Sequence, residues 1–459
     1  MSSGLALDPI LTGKSDALSL FQRLLPASFL QPFEKRPGKR RNNRIYTFQV
    51  VMWLLIAQRL QPLASLGTAV LELLRGLPSS FWPQPCQRVQ DWREGRKSPS
   101  SHTGAYNKAR QKLPLTVVEQ SCDRIFHQLT AHLNGTAPVL GGRAFFIDGT
   151  TVRTAHSSAL CEAYPPGSNQ HGEAHWPLLR MLVAHDLQTG LALRPEWGPL
   201  HGLQAVSEQK LVETAMDRLP EGAAMVADAN FGVFSVAYAA AQRERPVVLR
   251  LTPVRARHLA GGPLPDGLDR PIVWKPTPED RANHPDWPAD ACARGRLIAR
   301  QVHPNPDAAP FLLYLFTALS VGSDEVLKLY GQRWNIETDL RSLKSTLALD
   351  QLSCTTPEMV AKELNLAMAA YNLIRAIACL AAERAGILPR QYSFTRVRNV
   401  VEAFTPLVAT AKTPQEAQRY FDQMMYYVGQ ARLPQRKRKR PSYPRAVWGR
   451  GERFPPHKR

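Results

Sequence analysis

The sequence predicts an α/β fold with helical regions on both sides, and three observations support this. Short apolar segments alternate with helical segments over residues 143–251, which is the pattern of α/β domains. Residues 252–310 contain 11 of the 38 prolines, a composition that excludes long helices and leaves turns and edge strands. Helical periodicity returns after residue 321. A chain of 459 residues is long enough for about three domains.

The N-terminal region is predicted to be helical. A helix over 45–60 is followed by one over 62–75, with Pro62 at a favoured first-turn position. Ser101 is expected to cap a basic helix over 105–112. Thr116 and Glu119 form a capping-box pattern that opens a further helix, which Gly135 is expected to close.

The central region is predicted to contain five strands, two helices and an insertion. The strands cover 144–147, 178–184, 191–195, 223–227 and 246–251, and the helices cover 205–218 and 231–243. Asp148 and Gly149 follow the first strand, which predicts that it ends there at a turn. Within the proline-rich insertion, 296–302 and 311–319 are the expected strands. Long helices are predicted over 321–356 and from about 359 to 385.

The composition indicates a folded protein with a polyanionic partner. Hydrophobic residues make up 44% and charged residues 21%, as in globular proteins. Lys and Arg outnumber Asp and Glu by 58 to 38, a formal charge of +20, which favours nucleic acid as the partner. The alternative is a solvated basic surface or a ribosome-associated tail.

Several site classes and a membrane location are disfavoured. The six cysteines lie far apart, without a CxxC pair, which argues against a zinc knuckle or a disulfide framework and fits a reducing cytoplasm. The longest wholly apolar run covers only residues 50–57, well short of the roughly twenty residues that a bilayer requires. The first 24 residues lack the pattern of a signal peptide.

Three acids have the placement that phosphodiester chemistry with two metal ions requires. Asp148 and Asp228 each follow a predicted strand, and the carboxyl ends of parallel strands meet at one sheet edge. Glu337 lies on the predicted helix over 321–356. Carboxylates are the ligands that Mg²⁺ prefers, and two ions can activate the nucleophile and stabilise the leaving oxygen.

Glu337 shares a helix face with three other polar residues. At about 100° per residue, Glu337 lies roughly 40° from Arg333, Lys344 roughly 20° and Tyr330 roughly 60°. An acid, two cations and a phenol on one face suit a metal site beside phosphates. The alternative is a solvent-facing stripe of ion pairs, since Arg333, Glu337 and Arg341 are spaced as i,i+4 partners.

These residues resemble a known signature. Tyr330-x2-Arg333-x3-Glu337-x6-Lys344 matches the YREK signature of the transposases of the insertion sequence four family. Phe146-Ile147-Asp148-Gly149-Thr150 resembles the family's first catalytic strand, and Val226-Ala227-Asp228-Ala229-Asn230-Phe231-Gly232 resembles its second. Similarity extends over about residues 30–430. Ala229 departs from the family, which more often has a basic residue there.

The resemblance implies a DNA transposase of the DDE type. It implies an RNase H-like catalytic core with a mostly β insertion, in which Asp148, Asp228 and Glu337 hold two Mg²⁺ ions, with Mn²⁺ as a substitute. The enzyme would bind the ends of an insertion sequence, cleave them and join them to target DNA. The implied partners are terminal inverted repeats, target DNA and a second copy on paired ends, in the bacterial cytoplasm near the nucleoid and without a membrane.

The implied organisation divides the chain into six parts. They are an N-terminal arm (1–29), a helical DNA-binding domain (30–138), the first part of the RNase H-like core (139–251), a β-rich insertion (252–320), the second part of the core with C-terminal helices (321–430) and a basic disordered tail (431–459). Residues 432–459 hold eleven Lys or Arg and one acid, Glu452. Such a tail is expected to contact DNA.

DNA contacts are expected at several places. By analogy with the family, Tyr330, Arg333 and Lys344 would hold phosphates at the transposon end, which positions DNA without reading its sequence. The basic candidates elsewhere are Arg40, Arg41, Arg44, Lys108, Arg110 and Lys112. For each basic segment, a solvated helix face is the alternative.

Two tryptophans of the insertion are candidates for stacking on a DNA base. In some relatives an insertion-domain tryptophan stacks in this way, and the corresponding candidates are Trp274 and Trp287. The alternative, which we favour, is that each indole anchors a small β core.

Two other functions are compatible with the same residues. An RNase H-like nuclease would use the same carboxylates to cut DNA without joining it. A non-catalytic DNA-binding regulator, or a domesticated transposase, would use the helical N-terminal region alone. Strand-transfer and cleavage assays distinguish these alternatives from a transposase.

Overall fold

The computed structural model describes residues 16–34, 44–61, 64–170, 172–303 and 309–434. Within these residues the helices are α1 (Ala17–Leu24), α2 (Ala27–Glu34), α3 (Phe48–Leu60), α4 (Leu66–Arg75), α5 (Gln87–Arg93), α6 (Gly104–Lys112), α7 (Leu115–His132), α8 (Ser158–Ala163), α9 (Glu208–Arg218), α10 (Phe234–Gln242), α11 (Pro253–Ala260), α12 (Pro278–Asn283), α13 (Ser323–Gly331), α14 (Trp334–Arg341), α15 (Pro357–Ala385), α16 (Phe394–Thr410) and α17 (Pro414–Gly429). The strands are β1 (Ala144–Arg153), β2 (Ser168–Asn169), β3 (Gly172–Glu173), β4 (Leu178–Asp186), β5 (Glu196–Pro199), β6 (Ala224–Ala227), β7 (Val247–Arg250), β8 (Leu268–Trp274), β9 (Ala293–Val302) and β10 (Phe311–Thr317). The chain therefore has the mixed α/β fold that its sequence predicts.

Eight of these strands form one sheet in the order β5-β4-β1-β6-β7-β10-β9-β8. β1 is antiparallel to β4 and parallel to β6, and β6 is parallel to β7. The carboxyl ends of β6 and β7 therefore lie at one edge of the sheet, and β1 stops pairing with β6 at that same edge. Helices α9 and α10 connect β5 to β6 and β6 to β7.

The proline-rich segment that was predicted to be an insertion extends this sheet. β10 pairs with β7, and β9 and β8 follow outward, all antiparallel. The two predicted strands are confirmed, but the sequence did not predict β8. Pro271 interrupts the pattern of β8, and it is tolerated there because β8 lies at the edge of the sheet.

The predicted strand over 191–195 is reduced to a single antiparallel bridge between Ala192 and His185, and the regular strand begins later, at Glu196. This segment turns back after β4, with the amide of Leu193 bonded to the carbonyl of Ala184. The amide and carbonyl of Ala192 then bond to the side chain of Asn372 on α15. β5 then pairs with the earlier part of β4, from Leu179 to Leu182.

Helix α15 is the centre of the helical part of the molecule. It packs against α7, α3, α1 and α16, and its side chains from Met359 to Ala382 are all buried. By length and composition α15 could cross a membrane, but its most apolar segment is completely covered by protein. Burial in a protein core accounts for this composition.

The N-terminal helices begin and end at other residues than predicted. Ser65, which forms a capping box with Thr68, starts α4, whereas Pro62 lies outside the described residues. Ser101 does not cap α6, which begins after Thr103. α7 begins after Pro114, so its predicted capping box does not form, and it ends at His132 before Gly135.

The single long helix predicted over 321–356 is also wrong. The segment forms α13 and α14, and residues Ser342–Thr346 then make a π-helical turn. Beyond the turn, Gln351 bridges to Arg153 at the end of β1, while Leu349 and Leu352 are buried. The chain leaves the helix because these leucines and this bridge bring it against the sheet.

Candidate active site

Asp148 and Asp228 lie together where β1 and β6 diverge. Parallel pairing between the two strands stops at Ile147 and Ala227, and Asp228 follows β6 directly. β1 itself continues past Asp148, paired with β4 as far as Arg153. The predicted strand end at Asp148 is therefore wrong, but the aspartate still lies at the carboxyl edge of the parallel pair.

The two aspartates influence each other electrostatically. Burial raises the pKa of Asp148 to about 6, and the negative charges of Asp228 and Glu208 act in the same direction. The amide of Gly149, 2.8 Å from Asp148 Oδ1, and the guanidinium of Arg333 oppose this rise in pKa. Asp228 Oδ1 accepts a hydrogen bond from the amide of Asn230 at 2.9 Å. Two carboxylates with few compensating cations favour binding of a divalent ion.

Glu337 lies on the neighbouring helix and is paired with Arg333. α14 packs against β1, and Glu337 Oε1 is 3.5 Å from an Nη2 of Arg333. The guanidinium of Arg333 thus pairs with Glu337 and also lowers the pKa of Asp148. Among the residues that the structure describes, no three Asp, Glu, His or Cys side chains are grouped so that they could hold one ion. The structure brings Asp148 and Asp228 together and leaves Glu337 bound to Arg333.

Lys344 reaches the same edge of the sheet from the π-helical turn. Its Nζ is 3.2 Å from Thr150 Oγ1, and Thr150 lies on the same face of β1 as Asp148 because side chains alternate along a strand. Because the π-helical turn interrupts the helix, Lys344 does not reach this edge along a continuous helical face. The hydroxyl contact with β1 places it beside Asp148 instead.

Tyr330 is the remaining residue of the four that the sequence analysis matched to a signature. It is buried at the end of α13, and burial raises its pKa while Arg333 and Arg250 act against the rise. Asp228 also acts on this phenol. Tyr330 therefore lies within electrostatic range of Asp228 and of the cation that pairs with Glu337.

Sequence reasoning missed two residues at this site. Glu208 acts on Asp148 and is the first residue of α9, where an acid is an ordinary helix-start residue that carries no special signal. Trp334 follows Arg333 and is 63% exposed, with the guanidinium of Arg333 5.3 Å from its ring centre. The sequence contained the adjacency of Arg333 and Trp334 as a signal, but only the structure shows that the indole is exposed.

Trp274 and Trp287 belong to an aromatic cluster that joins α10 to the insertion. The ring of Trp274 lies 5.2 Å from that of Phe316, and the ring of Trp287 lies 5.2 Å from that of Phe234 and 5.3 Å from that of Tyr238. Trp274 is buried. These contacts are those of residues that anchor a core.

The other predicted DNA contacts differ in exposure. Lys108 and Lys112 are exposed on α6, and Arg44 is exposed ahead of α3. Arg110 is half-buried and donates to the sulfur of Cys354 at 3.3 Å. Arg40, Arg41 and the tail beyond residue 434 lie outside the described residues.

Comparison with known proteins gives a family. Residues 140–373, which are 234 of the 459 residues, match the family described as transposase DDE domain. Over 299 residues the chain is 24% identical to the transposase InsG for insertion sequence element IS4 from Escherichia coli strain K12. That similarity covers 62% of this chain and 64% of the relative, less than two thirds of its length. The matched family segment contains β1, β6 and α14 and extends into α15, so the chain belongs to the family of transposase DDE domains.

Proposed function

We propose that this protein is a DNA transposase that binds the ends of an insertion sequence, cleaves them and joins them to target DNA. The observation that carries the proposal is the pair Asp148 and Asp228 at one sheet edge, beside Arg333, in a chain of the DDE family. The E. coli relative is itself named as the transposase of an insertion sequence element.

We infer that the sheet contains an RNase H-like core. The strand order β5-β4-β1-β6-β7 supports this. β5, β4 and β1 pair antiparallel, whereas β1, β6 and β7 pair parallel. In this proposal β8, β9 and β10 form the insertion, which continues the core sheet. The helices before β1 would form the DNA-binding domain.

The donor set fits divalent metal ions. Asp148 and Asp228 offer hard oxygen ligands. Burial and, after it, the charge of Asp228 raise the pKa of Asp148, and a bound cation would offset both effects. Asp148, Asp228 and Glu337 would hold two Mg²⁺ ions, with Mn²⁺ as a substitute. Such ions supply activation of the attacking oxygen and stabilisation of the leaving oxygen.

Arg333 would exchange partners when DNA binds. It is now paired with Glu337, and a phosphate is an alternative partner for a guanidinium. Exchange would free Glu337 to join the aspartates. Lys344 and Tyr330 would hold the same strand, while Lys108, Lys112 and Arg44 would contact DNA farther from the reacting bond.

The functional form would be a dimer on DNA. Pairing two transposon ends calls for at least two protomers, so we infer a homodimer when both ends are bound. The formal charge of +20 suits a DNA partner. We place this activity in the cytoplasm of a bacterium, in contact with the nucleoid.

The test is substitution of each acid in the purified protein. Asp148→Ala, Asp228→Ala and Glu337→Ala are each expected to abolish strand cleavage in Mg²⁺, while affinity for end DNA stays within about threefold, because phosphate contacts by cations dominate binding. Asp217→Asn is the matched control, since Asp217 is an exposed acid paired with Arg243 at the far end of α9. Full cleavage by any one of the three alanine variants would refute the assignment.

A strand-transfer assay separates the alternative functions. Unaltered protein is expected to cleave end DNA and join the freed 3′ hydroxyl to target DNA. Cleavage without joining would indicate a nuclease, and binding without cleavage would indicate a regulator or a domesticated protein.

A further inference from the structure

Glu208 lies inside the candidate active site although it belongs to no signature. It begins α9 after Ser207, whose hydroxyl caps the helix by accepting from the amide of Lys210 at 3.1 Å. The carboxylate of Glu208 occupies the space beside Gly149 that a side chain at that position would fill. It is therefore in contact with the residue that follows Asp148.

The same carboxylate holds the loop that carries Asp228. Glu208 Oε2 accepts a hydrogen bond from the side-chain amide of Asn230. The next residue, Gln209, donates to the carbonyl of Asn230 at 2.8 Å. Asn230 in turn donates its backbone amide to Asp228 Oδ1. A continuous chain of hydrogen bonds thus runs from α9 through Asn230 to Asp228.

Glu208 forms no ion pair with any other residue that the structure describes. The salt bridges of the described residues do not include Glu208, whereas the other two acids of α9 pair with Lys210 and Arg243. Glu208 instead adds its negative charge to the field at Asp148. The carboxylate of Glu208 contacts Gly149 and Asn230 instead of a cation, which indicates a role in the site.

We propose that Glu208 is a positioning residue for the metal site, fixing Asn230 and through it the carboxylate of Asp228. This proposal rests on the proposed function. Residues that orient metal ligands through hydrogen bonds commonly alter metal affinity about 10–100-fold when removed. Gly149 takes part in the arrangement, because a β-carbon at that position would displace the Glu208 carboxylate.

The test measures the affinity of the purified full chain for Mn²⁺ without DNA. Electron paramagnetic resonance reports the concentration of free Mn²⁺. Glu208→Ala and Asn230→Ala are each expected to weaken binding about tenfold. The double variant should be no weaker than either single one, since both interrupt the same chain of hydrogen bonds. Glu208→Gln keeps an oxygen that accepts from Asn230 and should bind Mn²⁺ within about threefold of the unaltered protein.

Two further variants sharpen the experiment. Gly149→Ala should resemble Glu208→Ala, because the new methyl group displaces the carboxylate. Glu213→Ala is the matched control, since Glu213 lies on the same helix and pairs with Lys210. It is expected to bind Mn²⁺ as the unaltered protein does. Thermal unfolding of each variant shows whether it is folded.

The outcomes separate this inference from the proposed function. Unchanged Mn²⁺ affinity in folded Glu208→Ala, additive losses in the double variant, or a Glu208→Gln variant as weak as Glu208→Ala would each overturn the positioning role. Asp228→Ala is the reference that must lose binding. If it does not, the metal site of the proposed function fails, and the positioning role fails with it. Absence of Mn²⁺ binding by the unaltered chain would overturn the positioning role in the DNA-free protein but not the proposed function, in which Glu337 joins the site only when DNA binds.

Discussion

The ionised form of Asp148 lowers the stability of the folded protein. Its carboxylate is partly buried and faces Asp228, so its protonated form is favoured and the pKa rises to about 6. The Asp148 side chain has no ion pair among the described residues, and Arg333 lowers its pKa only in part. A cation at this site, bound alone or together with DNA, would offset the energetic cost of the ionised Asp148 carboxylate.

Neutralising Asp148 is therefore expected to stabilise the metal-free protein at neutral pH. The folded protein binds this proton more tightly than the unfolded chain, whose pKa is near 3.8. The free energy of unfolding thus falls as pH rises from about 4 to about 6. Asp148→Asn should raise the free energy of unfolding by about 1–3 kcal/mol at pH 8 and by little at pH 4.

Urea denaturation with EDTA at pH 4, 6 and 8 measures this difference. Asp217→Asn is again the control, because its exposed carboxylate should change the free energy of unfolding little at any of these pH values. A stability difference for Asp148→Asn that does not vary with pH would contradict the explanation.

At the scale of elements, the loop after β6 depends on a close approach to β7. Gly232 lies against the carbonyl of Arg250, and a β-carbon there would overlap that oxygen. Since the oxygen belongs to the backbone of a paired strand, it cannot move cheaply. The loop that carries Asp228 and Asn230 is thereby held between α9 and β7.

Gly232→Ala is expected to destabilise the protein by about 1–3 kcal/mol, because the methyl group overpacks the loop. It should also impair cleavage by shifting Asp228. Gly429→Ala is the control, since Gly429 ends α17 with open space at its β-carbon position. Urea unfolding of both variants measures the effect, and equal midpoints would show that the loop adapts.

Sequence pattern predicted the elements around the candidate active site well and their ends less well. The strands at 144–147, 223–227 and 246–251 were predicted from apolar runs, and β1, β6 and β7 confirm them. The π-helical turn at Ser342–Thr346 was not predictable, because the same periodicity fits an unbroken helix. Contacts of Lys344 with Thr150 and of Gln351 with Arg153 decide where the helix ends.

At the scale of the whole molecule, a buried ion network fixes the helix that carries Glu337. Asp339 is fully buried on α14, and it pairs with Arg375 on α15 and with Arg390 at 2.8 Å. Burial would raise the pKa of Asp339, but Arg390 and Arg375 together hold it below its usual value. The network joins the candidate active site to the central helix.

Asp339→Asn is expected to cost about 3–5 kcal/mol, because it leaves the buried guanidinium of Arg375 and the partly buried one of Arg390 without their shared counter-charge. The contribution of Asp339 to stability is present above pH 4 and is lost as the carboxylate is protonated on acidification. Asp324→Asn is the control, since Asp324 pairs with Arg300 on the surface and should cost less than about 1 kcal/mol. Thermal and urea unfolding give the comparison, and equal losses would exclude a structural role for the network.

The sequence by itself determined the α/β class, the resemblance to DDE transposases and the choice of Asp148, Asp228 and Glu337 as candidate acids. Each of these depends on a pattern within a short segment, where periodicity and spacing act directly. The roles of the three acids stay predictions until the variants are measured.

Only the tertiary structure decided how the segments meet. It joined β10 to β7, so that the proline-rich segment over 252–320 extends the sheet that contains β1 and β6. It brought Glu208 beside Gly149 and Asn230, and it paired Glu337 with Arg333. Such contacts form between residues distant along the chain, and they depend on packing and charge in the folded protein, which no local pattern encodes.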